Sequence, residues 1–187
     1  MRPFKLIAIV ATLLFPVAHI DQLMRCLPGN VSRNQSFVAT YRDLCLLGTG
    51  LVLVVCLFYF SSHHWAEAVA IYSVANIVHG AITTAIVWPS RVINPVRSVL
   101  VSFWTYAESI VAFAILYTRH QVWLSGGPFT HIKALYFSAV TATTVGYGDI
   151  TPQNDLGRIL VMSQLAVSGL FILLVFSSLL SRLADRY

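Results

Sequence analysis

Thr141-Ala142-Thr143-Thr144-Val145-Gly146-Tyr147-Gly148-Asp149 is the stretch whose reading decides how this chain is built. Glycine returns at the second place, as Gly146 and Gly148. It enters left-handed and other unusual dihedrals without a side-chain clash, so a segment that turns this way at alternate residues aims successive carbonyls at one axis. The residues before it, His131 to Ala142, form an apolar, helix-like segment. That segment is too short to cross a bilayer, which takes roughly 20 helical residues. A short helix followed by glycine-bearing backbone is tolerated at membrane depth only where protein surrounds it or it lines a water-filled path. The connection from Arg119 to Arg158 therefore reads as one that enters the membrane and leaves on the same side.

The rest of the chain fits a membrane setting. Of 187 residues, 57% are hydrophobic and 10% charged, outside the usual range of water-soluble domains. Polar residues fall between long apolar stretches and are not mixed in at a period near 3.6. Four stretches are long enough to span: Leu44 to Ser62, Trp65 to Trp88, Val99 to Thr118 and Ile159 to Leu183. A fifth, Leu6 to Ile20, is shorter and contains Pro16. The expected fold is all-α and transmembrane: an outer helix, a short re-entrant helix with its following loop, and an inner helix. A helical hairpin and an N-terminal hydrophobic helix precede them. Three segments follow: 1–42 with the N-terminal helix and a loop, 43–97 with the hairpin, and 98–187 with the outer, re-entrant and inner helices.

Charge sets the expected orientation. If the four spans alternate, Arg25, Arg33, Arg42, Arg91, Arg97, Arg182 and Arg186 share one side, and Arg119, Lys133 and Arg158 the other. The arginine-rich side is cytoplasmic by the positive-inside rule. The 119–158 loop is then extracellular, and the C-terminus cytoplasmic, in a multi-pass protein of the cell membrane. A cleaved signal peptide would invert this arrangement and is rejected. Residues 6–20 are then a peripheral helix on the inner face or a fifth span. The sequons at Asn30 and Asn34 fall in the cytoplasmic loop and read as chance matches. The net charge of +5 sits in short connections and not on one basic face, so no nucleic-acid partner is expected. Cys26, Cys45 and Cys56 have no paired spacing and are expected to be free thiols.

The run Thr144-Val145-Gly146-Tyr147-Gly148 is identical to the TVGYG filter by which potassium channels are known. Ala134-Leu135-Tyr136-Phe137-Ser138 leading into Thr141-Ala142-Thr143-Thr144, with Gly157-Arg158 beyond, extends the resemblance over Val99 to Leu183. The N-terminal half resembles no nameable family. The resemblance implies that the oxygens of Thr144, Val145, Gly146 and Tyr147, with the Thr144 hydroxyl below them, form stacked rings when four copies surround an axis. These rings would take the place of the water around a dehydrated potassium ion. Thr143, Gly148, Asp149 and Tyr136 would support the filter. In many family members the aspartate after the filter is tied to an aromatic donor on the pore helix, here Asp149 and Tyr136; the alternative is that Tyr136 only packs. Some relatives carry a glutamate where this chain has Val140, which removes a carboxyl partner for Asp149. Gly169, in the middle of the inner helix, lies close to a gating hinge of the family. It is a candidate hinge or, with Ser168, a site of close helix packing.

The pore helix would point the negative end of its dipole at a central cation, with Thr130 as a candidate N-cap. Glu67, His79 and Glu108 lie within or at the ends of spans, where ionisable groups face protein or water. His63, His64, His120 and His131 fall on the extracellular side, solvated by default or acid-sensing as the alternative. No span carries arginines at every third position, so no voltage sensor is expected. Arg91 and Arg97, flanking Pro95, read as a cytoplasmic elbow. With the chain ending at Tyr187, gating is expected to use the membrane part or another protein. No nucleophile with a base, phosphate-binding glycine loop or metal-ligand cluster points to an enzyme. The sequence thus predicts a passive potassium channel subunit in the lipid bilayer, acting as a homotetramer, with potassium as the permeant ion and no cofactor. A modulatory subunit that assembles with other channel subunits is the alternative.

Overall fold

The computed structural model describes residues 47–61, 63–87, 95–120 and 130–184. These residues are mostly helical, with turns, bends and irregular backbone over 143–154, and no strand longer than a single bridge residue occurs among them. The expected peripheral helix at 6–20, the elbow around Arg91 and the cysteines Cys26 and Cys45 lie outside the described residues. The chain divides into two compact units, Met1–Thr49 and Gly50–Tyr187. The described residues of the first are 47–49, which open helix α1, Leu47–Phe60. The second holds the rest of α1, then α2 (His64–Val87), α3 (Pro95–Arg119), α4 (His131–Ala142) and α5 (Asp155–Ala184).

Helix α1 widens into a π turn over Cys56–Phe60. It ends against α2 in an aromatic corner, where Phe60 lies 5.1 Å from the Trp65 ring and 5.8 Å from His63. Small residues explain how α2 approaches its neighbours. Ala66, Ala70 and Ser73, spaced one turn apart, are buried, which lets backbones close in without a side-chain layer between them. Glu67 in the first turn and Arg119 in the last turn of α3 each complement their helix dipole.

Helix α3 is the centre of the packing and contacts each of the other four helices. Pro95 opens it, a position where proline's missing N–H is no loss. Six consecutive residues, Ala112 to Tyr117, are buried, so this part of α3 is enclosed on all sides. Its other end shows Leu100 and Phe103 to the outside. The short helix α4 covers the residues expected of it. Thr130 is its N-cap, accepting from the Lys133 backbone N–H at 3.1 Å with extended φ and ψ of −136° and 157°. Asn154 caps α5 in the same way, its Oδ1 accepting from the Gly157 N–H at 2.8 Å, so the inner helix starts at Asp155 and not at Ile159. Two segments, Leu100–Arg119 and Asp155–Leu173, are long and apolar enough to cross a membrane.

Candidate functional site

The site begins where α4 stops. Thr143 is the C-cap, and the next two residues turn back on the helix. The Thr144 N–H donates to the Thr141 carbonyl at 3.0 Å and the Val145 N–H to the Val140 carbonyl at 3.1 Å. This pair of bonds is the Schellman motif, which needs a left-handed residue after the cap and is usually closed by glycine. Here Thr144 fills that place with a φ of +57°, the only described non-glycine residue with positive φ. A β-branched residue in this region is strained, and such strain collects at functional sites.

Beyond Thr144 the alternation continues. Gly146 has a φ of +54° and Gly148 a φ of +77°. A Cβ at either glycine would meet no atom within 4 Å in the chain, so dihedral angle and not crowding is what calls for glycine there. Residues 143–149 are exposed along their length, including Val145 (52%) and Tyr147 (71%). The stretch is held from its flanks. Tyr136 Oη donates to Asp149 Oδ2 at 2.9 Å. That bond is also the main reason the Tyr136 hydroxyl is pushed above its ordinary pKa. Val140 supplies no side-chain donor to Asp149, and its carbonyl instead receives Val145.

Two further attachments had no expectation behind them. Tyr106 Oη of α3 donates to the Ala142 carbonyl at 2.6 Å, satisfying an oxygen that the end of a helix otherwise leaves open. Its ring stacks on Phe171 of α5 at 5.2 Å and 25°. Ser138 Oγ donates to the Ile110 carbonyl at 2.7 Å, and Gln164 Nε2 donates to Ser138 O at 2.9 Å and Ser138 Oγ at 2.8 Å. Gln164 Oε1 in turn accepts from Tyr117 Oη at 2.6 Å. The one signal in the sequence was a glutamine inside an otherwise apolar span, where a polar side chain needs a partner.

Other candidates sit apart from this loop. Helix α5 runs unbroken through Gly169, and a Cβ there would meet nothing within 4 Å, so close packing within the chain does not account for the glycine. Glu108 is buried on α3. His64, Glu67, Arg119 and His120 meet at one end of α2 and α3, with His120 Nε2 2.9 Å from Glu67 Oε1, Arg119 Nε 3.5 Å from Glu67 Oε2, and Arg119 Nη2 2.6 Å from His64 Nδ1. His131 packs edge-on against Phe58 at 6.2 Å. No group of three or more metal-ligating side chains occurs among the described residues.

Residues 97–185 match the family model described as ion channel. Over 47 residues, a quarter of this chain (25%) and 14% of the relative, the sequence is 47% identical to probable potassium channel protein 2 of Methanocaldococcus jannaschii. It is 49% identical over 45 residues, 22% of this chain and 13% of the relative, to two pore potassium channel a of Oryza sativa subsp. japonica. A hyperpolarization-activated voltage-gated potassium channel of Methanocaldococcus jannaschii is 46% identical over 39 residues, 20% of this chain and 19% of that protein. The chain thus spans between 13% and 19% of the length of these curated relatives. No solved structure matches it. Residues 97–185, which include the stretch Thr143–Asp149, are thus similar to ion channels, and parts of the chain are similar to potassium channels.

Proposed function

We propose that this chain is one subunit of a tetrameric, potassium-selective channel in which potassium moves passively down its gradient. The observation that carries the reading is the left-handed φ at every second residue, Thr144, Gly146 and Gly148. Alternate turning of this kind supports a path lined by the carbonyls of Thr144, Val145, Gly146 and Tyr147, with the Thr144 hydroxyl at its inner end. Main-chain oxygens suit the task because each is a moderate dipole. A set of them offsets the lost hydration of a potassium ion without holding it so tightly that it cannot leave. Gly148, Asp149, Thr143 and Tyr136 keep the loop in shape.

One copy supplies only one wall of such a path. The exposure of Val145 and Tyr147, and of Ile159, Met162 and Leu165 on α5, fits a stretch covered by further copies and by lipid. Fourfold symmetry is the simplest closed arrangement, and it directs four α4 C-termini, with their partial negative charge, at a common cavity. In this reading 98–187 is the pore module, 43–97 a membrane hairpin beside it, and 1–42 an N-terminal segment. The loop between α3 and α5 faces outside, following the arginine distribution. Gly169 is a hinge of α5. No described helix carries arginine at every third position, in keeping with conduction that depends little on voltage.

The test is purified chain alone in liposomes. Potassium efflux that barium blocks and that an equal sodium gradient does not reproduce supports the reading. A preparation that forms stable tetramers yet passes no potassium contradicts it.

A further inference from the structure

Four side-chain and main-chain groups close a hydrogen-bonded circuit through three helices. It leaves α3 at Tyr117 Oη, enters α5 at Gln164 Oε1, passes from Gln164 Nε2 to Ser138 of α4, and returns from Ser138 Oγ to the Ile110 carbonyl of α3. Tyr117 and Ser138 are fully buried and Gln164 is 1% exposed. The orientation of the amide is settled by its partners. A carbonyl can only accept, so the end of Gln164 facing Ser138 O is the NH2 group, and both its hydrogens are used. Every polar atom of the amide is satisfied within the chain.

The circuit is placed where it reaches the filter stretch. Ser138 stands one helical turn before Ala142, whose carbonyl is held by Tyr106. Tyr106 stacks on Phe171, which lies two turns after Gln164 on α5. The inner helix therefore touches the support of Thr143–Asp149 at two levels, directly through Gln164 and through the Tyr106 ring. Packing alone would be served by leucine at position 164. A glutamine in an apolar span is retained only where its bonds are used, because leaving them unmade in lipid or in a dry core is expensive.

We propose that Gln164 is a positioning residue that latches α5 to α4, so that displacement of the inner helix is passed to residues 143–149 as a change in their geometry. The proposal rests on the channel reading above. Its two states are discrete: with the amide bonds made, α4 sits in its present position; with them broken, Ser138 loses two donors and the helix end is free to shift. Coupling between two sites requires such a bistable element, and a buried amide with three bonds provides one.

The experiment compares the full chain, reconstituted in lipid, with Gln164→Met, Ser138→Ala and Tyr117→Phe. Ser163→Ala is the control, its exposed hydroxyl bonding only to Ile159 of its own helix. Amide hydrogen exchange is read along the chain, and current decay under steady drive is read in parallel. Gln164→Met and Ser138→Ala are expected to speed exchange at 143–149 by about tenfold, with exchange at 100–105 unchanged, and to speed the decay of current. Tyr117→Phe shifts both in the same direction by less, and Ser163→Ala behaves as wild type. A merely structural role predicts a lower melting temperature with exchange raised evenly over α3, α4 and α5, and that result overturns the proposal. So do wild-type exchange and decay in both stronger variants. If the parent chain passes no potassium, the channel reading falls, while the exchange arm still decides the latch. If Gln164→Met does not assemble, the milder Tyr117→Phe decides it by the same pattern.

Discussion

Tyr136 Oη and Asp149 Oδ2 lie 2.9 Å apart, joining the exposed face of α4 to the far end of the filter stretch. The bond spans the whole of Thr143 to Gly148, so it ties the loop at the end opposite to the Schellman turn at Thr144. Tyr136→Phe removes the hydroxyl and leaves the ring. The expected outcome is faster decay of current during steady drive with assembly intact, and an unchanged decay rate would show that the bond has no gating role.

The same bond has an alkaline limit. Its hydrogen bond to Asp149 raises the Tyr136 pKa above the ordinary 10.0. A raised folded-state value means that the contribution of the neutral phenol is fully present below pH 10 and is lost as pH rises through the higher folded value. Decay rate in the wild type should therefore be flat from neutral to mildly alkaline pH and rise above about pH 10, as the reference tyrosine value sets the lower edge. In Tyr136→Phe the alkaline rise from this group should be absent; a rise of equal size in that variant would assign it to another residue.

Thr144 carries a left-handed backbone that costs a non-glycine residue about 1–2 kcal/mol. Thr144→Gly relieves that strain but adds roughly 0.4–1 kcal/mol of unfolded-chain entropy. Thermal unfolding should therefore show stability unchanged or slightly raised, while selectivity for potassium over sodium falls because the hydroxyl and the side-chain constraint are gone. A large loss of stability would mean that the threonine side chain holds the turn.

Tyr106→Phe preserves the stack on Phe171 and leaves the Ala142 carbonyl without its donor. A buried acceptor left open costs about 1–3 kcal/mol, the smaller figure applying where water reaches it, as at this partly buried site. The expected result is a melting temperature lowered by a few degrees; no change would show that the oxygen finds another partner.

Glu67 in the first turn of α2 holds Arg119 and His120 at the end of α3, with all three side chains partly exposed. Pairs of this kind contribute at most about 1 kcal/mol. Glu67→Gln should lower the unfolding free energy by no more than that and leave permeability ratios as they were. A change in selectivity would connect this cluster to the filter.

The course of the chain around the filter was legible because its signals are local. Glycine spacing at Gly146 and Gly148, the apolar run His131–Ala142 and the capping threonine Thr130 each state their geometry within a few residues. The start of α5 was placed too late because Asn154 and Asp155 read as loop residues until the Asn154 cap is seen. The attachments of α4 were not legible. Tyr106, Tyr117 and Gln164 lie 26 to 47 residues from some of the partners they bond, and nothing in helix periodicity says which face of α3 meets which face of α5. Ser168 and Gly169 show the same limit, since a small pair in a span signals close packing and hinge alike, and the open space at Gly169 removes only packing within the chain. The left-handed φ of Thr144 was outside any propensity argument, because sequence rules would have put glycine there.

In the proposed channel, main-chain oxygens of residues 144–147 from several copies replace the water of a permeating potassium ion. The most direct measurement is the reversal potential of the reconstituted chain with potassium on one side of the bilayer and sodium on the other. The expected reversal potential is close to that of a potassium electrode, collapsing toward zero in Gly146→Ala, where the left-handed turn becomes strained. A wild-type reversal potential near zero, with sodium carried as readily as potassium, would contradict it.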